Sequence, residues 1–186
     1  HDSDHTYTGL PTHFKDLDKL TGGLQKGDLI VLAARPGMGK TAFALNLIAN
    51  LYEAGQKPVA LFYSLEMAYQ ELVLRMLASE SKIEMGRIRT GKLKGKNTGH
   101  DEWDDLIKAA GRLSTMNVFV DDKPMISLNE IRALSRRIKG KHGLDLIIID
   151  HLQLITTTDA SKNFNNVNRN NELAYISKSL KALAKE

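Results

Sequence analysis

Residues 29–41 read LIVLAARPGMGKT. The first six are a short continuous apolar run rich in Ile, Val and Leu, which predicts a buried strand over 29–34. Further on, Ala44, Leu47, Ile48 and Leu51 recur at helical spacing. They predict a helix over about 40–54, with Gly55 placed to end it. Between the two lies Ala34-Arg35-Pro36-Gly37-Met38-Gly39-Lys40-Thr41, a glycine turn that closes on GKT. A strand, such a turn and a helix start are the setting of a phosphate-binding loop, or P-loop. Phosphate oxygens need several backbone N–H groups pointing one way, and glycines such as Gly37 and Gly39 let the backbone turn tightly enough to provide them. The helix start adds its dipole and its free N–H groups. Lys40 can reach the β/γ-phosphates of a nucleoside triphosphate, and Thr41 offers a hydroxyl to Mg²⁺. The general pattern opens on Gly; here Ala34 stands in that place.

The flanking sequence alternates apolar runs with helical periodicity, which predicts βαβ units and a parallel sheet. Strands are expected at 58–64, 117–120 and 144–149. Helices are expected at about 68–80, with Tyr69, Leu72, Val73, Met76 and Leu77 as its apolar stripe, and over a segment marked by Trp103, Leu106, Ile107, Ala110 and Leu113; two more run from the capping box Ser127/Glu130 onward and at about 172–185. Residues 82–99 read as an exposed connection with room for a short helix. Residues 156–171, with three consecutive threonines and many asparagines, read as a mobile loop.

A chain of 186 residues fits one core, and its 42% hydrophobic and 26% charged content is that of a globular protein. No apolar run reaches the length of a membrane span. The absence of cysteine removes disulfides and thiolate metal sites and fits a cytoplasmic location. The net charge of +4 is compatible with a polyanionic partner. Six basic residues, Lys82, Arg87, Arg89, Lys92, Lys94 and Lys96, occupy one stretch. They read as a solvated connection or as phosphate contacts, without aromatic platforms for bases.

A P-loop enzyme also needs an acid at the end of a second strand to hold Mg²⁺. Asp150 closes the uniformly apolar Leu146-Ile-Ile-Ile, as a strand buried on both faces should read. Asp121 and Asp122 close a shorter run and read equally as a turn before Pro124. A general base is wanted as well, and His151, not a glutamate, follows Asp150. Glu66, just past strand 58–64, stands where parallel strands present their ligand-binding ends. On chemistry alone it is either that base or a first-turn acid favoured by a helix dipole.

ARPGMGKT (34–41), SLEM (64–67), IDHLQL (149–154) and SLKALAKE (179–186), in this order, resemble the DnaB-type replicative helicases of bacteria and their phages. The approach LPTHFKDLDKLTGGLQKGDL (10–29) resembles the same family and also RecA and KaiC relatives. The resemblance runs from about residue 8 to 186. It implies a RecA-like core, a mainly parallel β-sheet with helices on both faces, over 14–186, with residues 1–13 as the end of an interdomain linker. It implies a homohexameric ring that hydrolyses ATP with Mg²⁺ and moves 5′ to 3′ on single-stranded DNA, with primase and a helicase loader as partners. It assigns residues 34–41 and Asp150 to nucleotide, Thr41 and Asp150 to Mg²⁺, Lys40 to catalysis and Glu66 to the base. His151, where the family often has Tyr, is expected to be structural.

The loop after Asp150 faces the ring channel in that family, which points to Lys162 and Arg169 as DNA contacts. The family continues past the last residue with a sensor strand, a DNA loop and an arginine finger. This stretch alone is therefore expected to be a weak ATPase. In that fold the sensor strand lies between strand 29–34 and the Asp150 strand, so 29–34 should lack a neighbour on one side here. A recombinase or KaiC-like ATPase is the alternative on the same core. A non-catalytic nucleotide-binding module is a third reading, disfavoured by the intact GKT, Asp150 and Glu66.

Overall fold

The computed structural model describes residues 7–95, 99, 101–156 and 169–186. The elements run α1 (Lys15–Thr21), α2 (Lys40–Glu53), β1 (Ala60–Ser64), α3 (Tyr69–Ser81), α4 (Met85–Thr90), α5 (Glu102–Ser114), β2 (Val118–Asp121), β3 (Ile126–Ser127), α6 (Leu128–His142), β4 (Leu146–Asp150), β5 (Ile155–Thr156) and α7 (Arg169–Ala184). A three-stranded sheet has the order β2-β1-β4, and both of its pairings are parallel. A short parallel pair, β3 with β5, sits beside it.

Every residue of β1 is buried, as expected of a central strand covered on both faces. Its side chains alternate between the sheet faces. Leu61 and Tyr63 join Ile131 and Ile138 of α6 and Ile176, Leu180 and Leu183 of α7 on one side. Phe62 meets Leu45 and Ile48 of α2 and Leu72 of α3 on the other. The period of two in the strand and the apolar stripes of four helices thus produce one sheet covered on both faces.

Buried Tyr63 also fixes α6. Its hydroxyl donates to the Ile131 carbonyl (3.0 Å) and shares a hydrogen bond with Ser135 Oγ (3.2 Å). Burial pushes this phenol up to about 12. The capping box that starts α6 is present, with Ser127 Oγ accepting from Glu130 N and the Glu130 carboxylate accepting from Ser127 N.

Three expectations are corrected. Residues 29–34 form no strand, and Ile30, Val31 and Leu32 are 59%, 65% and 50% exposed. A strand exists only through a ladder partner. Among the described residues this stretch has none, while β4 stands at the sheet edge. Second, Tyr69 was expected on the apolar stripe of α3 but is half exposed, because α3 buries chiefly Leu72 against the sheet. Third, Trp103 and Ile107 of α5 face solvent; that helix buries Glu102 and Ala109 instead.

The exposed connection contains α4, and Arg87 in it pairs with Glu102 at 2.6 Å. The asparagine-rich stretch 157–168 lies outside the described residues. Unforeseen is a unit at the chain start, where Leu10 bridges Leu24 and buried Asp18 accepts from Thr12 N, Thr12 Oγ1 and His13 N at 2.7–2.8 Å. Stacking of Phe14 on Phe43 (centroids 4.8 Å apart) and a hydrogen bond from Asn50 to the Thr12 carbonyl fasten this unit to α2.

Candidate active site

The turn 35–39 delivers Lys40 and Thr41 to the first turn of α2. Gly37 and Gly39 have φ of 78° and 88°, a region that costs an L side chain energy, so both glycines are required by the turn. A Cβ on Gly37 would meet nothing within 4 Å. The constraint there is conformational, and the space over the loop is open to a ligand. The Lys40 ammonium donates to the Ala34 carbonyl (3.3 Å), folding back across the loop. Ala34 thus enters the loop through its backbone carbonyl, which any residue supplies. Arg35, Pro36 and Met38 are exposed around the same turn, and Met38 N closes it onto the Arg35 carbonyl (3.2 Å).

Asp150 is buried at the C-terminal end of β4. Its Oδ2 accepts a hydrogen bond from the Thr41 hydroxyl, which joins residues 109 positions apart in the chain. The structure therefore brings together the P-loop hydroxyl and the one of the three candidate acids that the apolar pattern preferred. Asp121 and Asp122 serve elsewhere: Asp121 accepts from Lys123 N and Asp122 caps α3 by accepting from Tyr69 N (2.9 Å). That cap has a consequence for the site, because it fixes the far end of the loop 65–68 that carries Glu66. The near end is fixed by the ladder: Ser64 is in register with Asp150, and Leu65 N donates to the Asp150 carbonyl (2.8 Å). Ser64 Oγ donates to the Met67 carbonyl (2.6 Å) and tightens the turn.

Glu66 consequently stands beside the end of β4. Its Oε2 lies 3.1 Å from His151 Nδ1. Glu66, Asp150 and His151 each offer a ligand atom, and these atoms lie within 4.8 Å of one another. The close approach of His151 to Glu66 has the length of a hydrogen bond, so the imidazole is engaged by the carboxylate. What faces the P-loop is a set of oxygens, the Thr41 hydroxyl and the Asp150 carboxylate. A hard cation that prefers oxygen ligands, such as Mg²⁺, fits that set better than a metal that prefers nitrogen. The sequence reading did not foresee the contact of His151 with Glu66. Lys162 and the side chain of Arg169 lie outside the described residues, so the structure places neither.

A family model described as the DnaB-like helicase C-terminal domain matches residues 9–186. The chain is 47% identical, over its whole length, to the replicative DNA helicase DnaB of Geobacillus stearothermophilus, and spans 39% of that protein. It is 45% identical over 179 residues (96% of the chain) to the replicative DNA helicase DnaC of Bacillus subtilis (strain 168), and spans 37% of it. A solved structure of a DnaB-like replicative helicase, described together with its interactions with primase, superposes with a TM-score of 0.83 at 32% identity. The match covers 98% of this chain and 42% of that one. A solved ATPase domain gives the same score and identity, covering 98% of this chain and 62% of that chain. The chain thus spans about two fifths of the length of the curated relatives it matches.

Proposed function

The chain belongs to the DnaB-like helicase C-terminal domain family, and on that premise we propose that it is the ATP-hydrolysing motor of a replicative DNA helicase. In this reading, residues 14–186 are the RecA-like motor and 1–13 end a linker. Six copies form a ring with ATP held between neighbours, and hydrolysis drives the ring 5′ to 3′ along single-stranded DNA to unwind duplex. Primase and a helicase loader are the further partners, and the location is the cytoplasm. No helix among the described residues is long and apolar enough to cross a membrane.

The observation that supports this most is the hydrogen bond between Thr41 and Asp150, with Glu66 beside it at the C-terminal ends of β1 and β4. ATP phosphates fit over the loop 34–41, where the backbone N–H groups and the Lys40 ammonium meet negative charge. Thr41 and Asp150 would hold Mg²⁺, which neutralises charge on the phosphates when bound. Glu66 accepts a proton from the water that attacks the γ-phosphate. Its carboxylate stands past the sheet edge, on a loop anchored at both ends, and its side chain is 63% exposed and accessible to that water.

Electron microscopy of the full-length protein with a slowly hydrolysed ATP analogue tests the assembly. Six-membered rings are expected; filaments would indicate a recombinase. Lys40→Ala in the same protein should abolish useful ATP turnover, and parental turnover would contradict the assignment of the loop.

A further inference from the structure

His151 holds neither nucleotide nor Mg²⁺ in the proposed site, yet it is the hydrogen-bond partner of Glu66, the residue given the proton-transfer role. We propose that His151 is a positioning residue, whose Nδ1–H donates to Glu66 Oε2 and holds the carboxylate in the orientation that meets the attacking water. The inference rests on the assignment of Glu66 as the base.

The two side chains are unequally held. The Glu66 side chain is 63% exposed, and among the described residues His151 is the side chain that bonds it. A glutamate with this much freedom samples many rotamers, and each wrong one removes the base from reach. The His151 side chain is only 32% exposed. Its backbone is clamped on one side by β4 and on the other by the 3-10 turn Leu152–Leu154, where Leu154 N donates to the His151 carbonyl (3.1 Å). Leu152 and Leu154 pack against the core, so the turn is anchored. The imidazole is thus a fixed post and the carboxylate a mobile arm tied to it. A carboxylate only accepts hydrogen bonds, so Nδ1 carries the proton in this pair. Exposed pairs of this kind contribute little to folding stability. Loss of the contact should therefore appear in the rate of the chemical step before it appears in the fold.

The test is steady-state ATP hydrolysis by the assembled full-length protein carrying His151→Leu, His151→Asn, Glu66→Gln, or Glu66→Gln with His151→Leu. Asparagine keeps an N–H donor near the place of Nδ1; leucine fills the space without one. The leucine variant should lose about tenfold in kcat, equivalent to about 1.4 kcal/mol, with KM for ATP within about twofold, as expected when only the transition state is affected. The asparagine variant should recover most of that loss. The double variant should be no slower than Glu66→Gln alone, because a positioning residue has nothing left to position.

Parental kcat in the leucine variant, with Glu66→Gln slow, overturns the proposal and leaves the base assignment standing. Parental turnover in Glu66→Gln overturns the base assignment itself. A leucine loss that asparagine does not repair and that multiplies with Glu66→Gln means a structural role and also overturns the proposal. If the leucine variant does not assemble, His151→Ala, which introduces no new bulk at this position, is read by the same criteria.

Discussion

Replacing Asp18 by alanine should loosen the unit at the chain start without unfolding the sheet. Asp18 is 2% exposed, and its carboxylate accepts three hydrogen bonds, from Thr12 N, Thr12 Oγ1 and His13 N. Thr12 is fully buried, so its amide has no route to water once the carboxylate is gone. An orphaned buried donor costs about 1–3 kcal/mol, and a hydrogen bond to a charged group contributes about 1.5–3 kcal/mol. The His13 amide is less buried and can recover water, and Thr12 Oγ1 can rotate. The net loss is therefore about 3 kcal/mol, well below the sum of the three bonds.

The assay is hydrogen exchange in the intact protein, which reports the opening free energy of each cooperative segment. Amides of α1 should exchange faster by roughly a hundredfold, while those of β1 change little. Thr12→Val removes only the hydroxyl and should cost about 1 kcal/mol. Asp18→Asn should behave more like alanine than its shape suggests, since its amide would set a donor against the His13 N–H. Unchanged exchange in α1, or equal effects of Asp18→Ala and Thr12→Val, would refute the argument that the buried amide carries the cost.

Three further outcomes are expected. Tyr63 has a folded pKa raised to about 12 from 10.0, so its stabilising contribution is complete below pH 10 and is lost as pH rises through 12. Between those values the unfolded chain sheds the proton first, at a cost to stability of about 2–3 kcal/mol. Tyr63→Phe, which cannot ionise, should flatten this alkaline limb in unfolding experiments, and an unchanged limb would rule Tyr63 out as its source. Replacing Lys162 and Arg169 together by alanine should reduce the salt slope of single-stranded DNA binding by about 0.7 per lost phosphate contact; an unchanged slope would remove the loop from the DNA path. Residues 29–34 should gain a ladder partner in the intact protein, because Ile30, Val31 and Leu32 are otherwise exposed beside unpaired amides. Amide protection there close to that of β1 is the expected result, and loop-like exchange would contradict it.

The parts of the fold that were legible in the sequence are those with local signals. The helix of Ala44, Leu47, Ile48 and Leu51 and the Ser127/Glu130 cap each declare themselves within a few residues, and both appear as expected. The P-loop glycines were legible for the same reason, since a turn with φ near 80° leaves a local mark. In the stretch 29–34 the apolar run shows that a strand is wanted, while the neighbour it lacks is not written in those residues, and among the described residues no ladder forms there. The Asp18 unit was missed because a side chain reaching back six residues to Thr12 follows neither helical nor strand periodicity. The two-residue strands β3 and β5 are too short for any period to show. On α5, Trp103 and Ile107 look like a core stripe, but the helix packs through Ala109 and the Glu102–Arg87 pair.

The site shows the same division one level higher. Lys40, Thr41 and the acid of β4 could each be named from their own neighbourhoods. The contact of Glu66 with His151 could not, because it depends on which strand lies beside which. The apolar runs 60–62 and 146–149 carry no mark that makes them neighbours. Once β1 and β4 are known to be parallel with Ser64 opposite Asp150, the contact follows. Glu66 and His151 are then the second and first residues beyond one sheet edge, on strands about 4.8 Å apart. A histidine after the Asp150 position therefore lies beside a glutamate two past Ser64 because of strand order alone. Any substitution at 151 in this fold changes the surroundings of Glu66, whatever it does to packing. The choice of residue there is chemically consequential because a donor of the right length restrains the carboxylate and an apolar side chain of the same size does not.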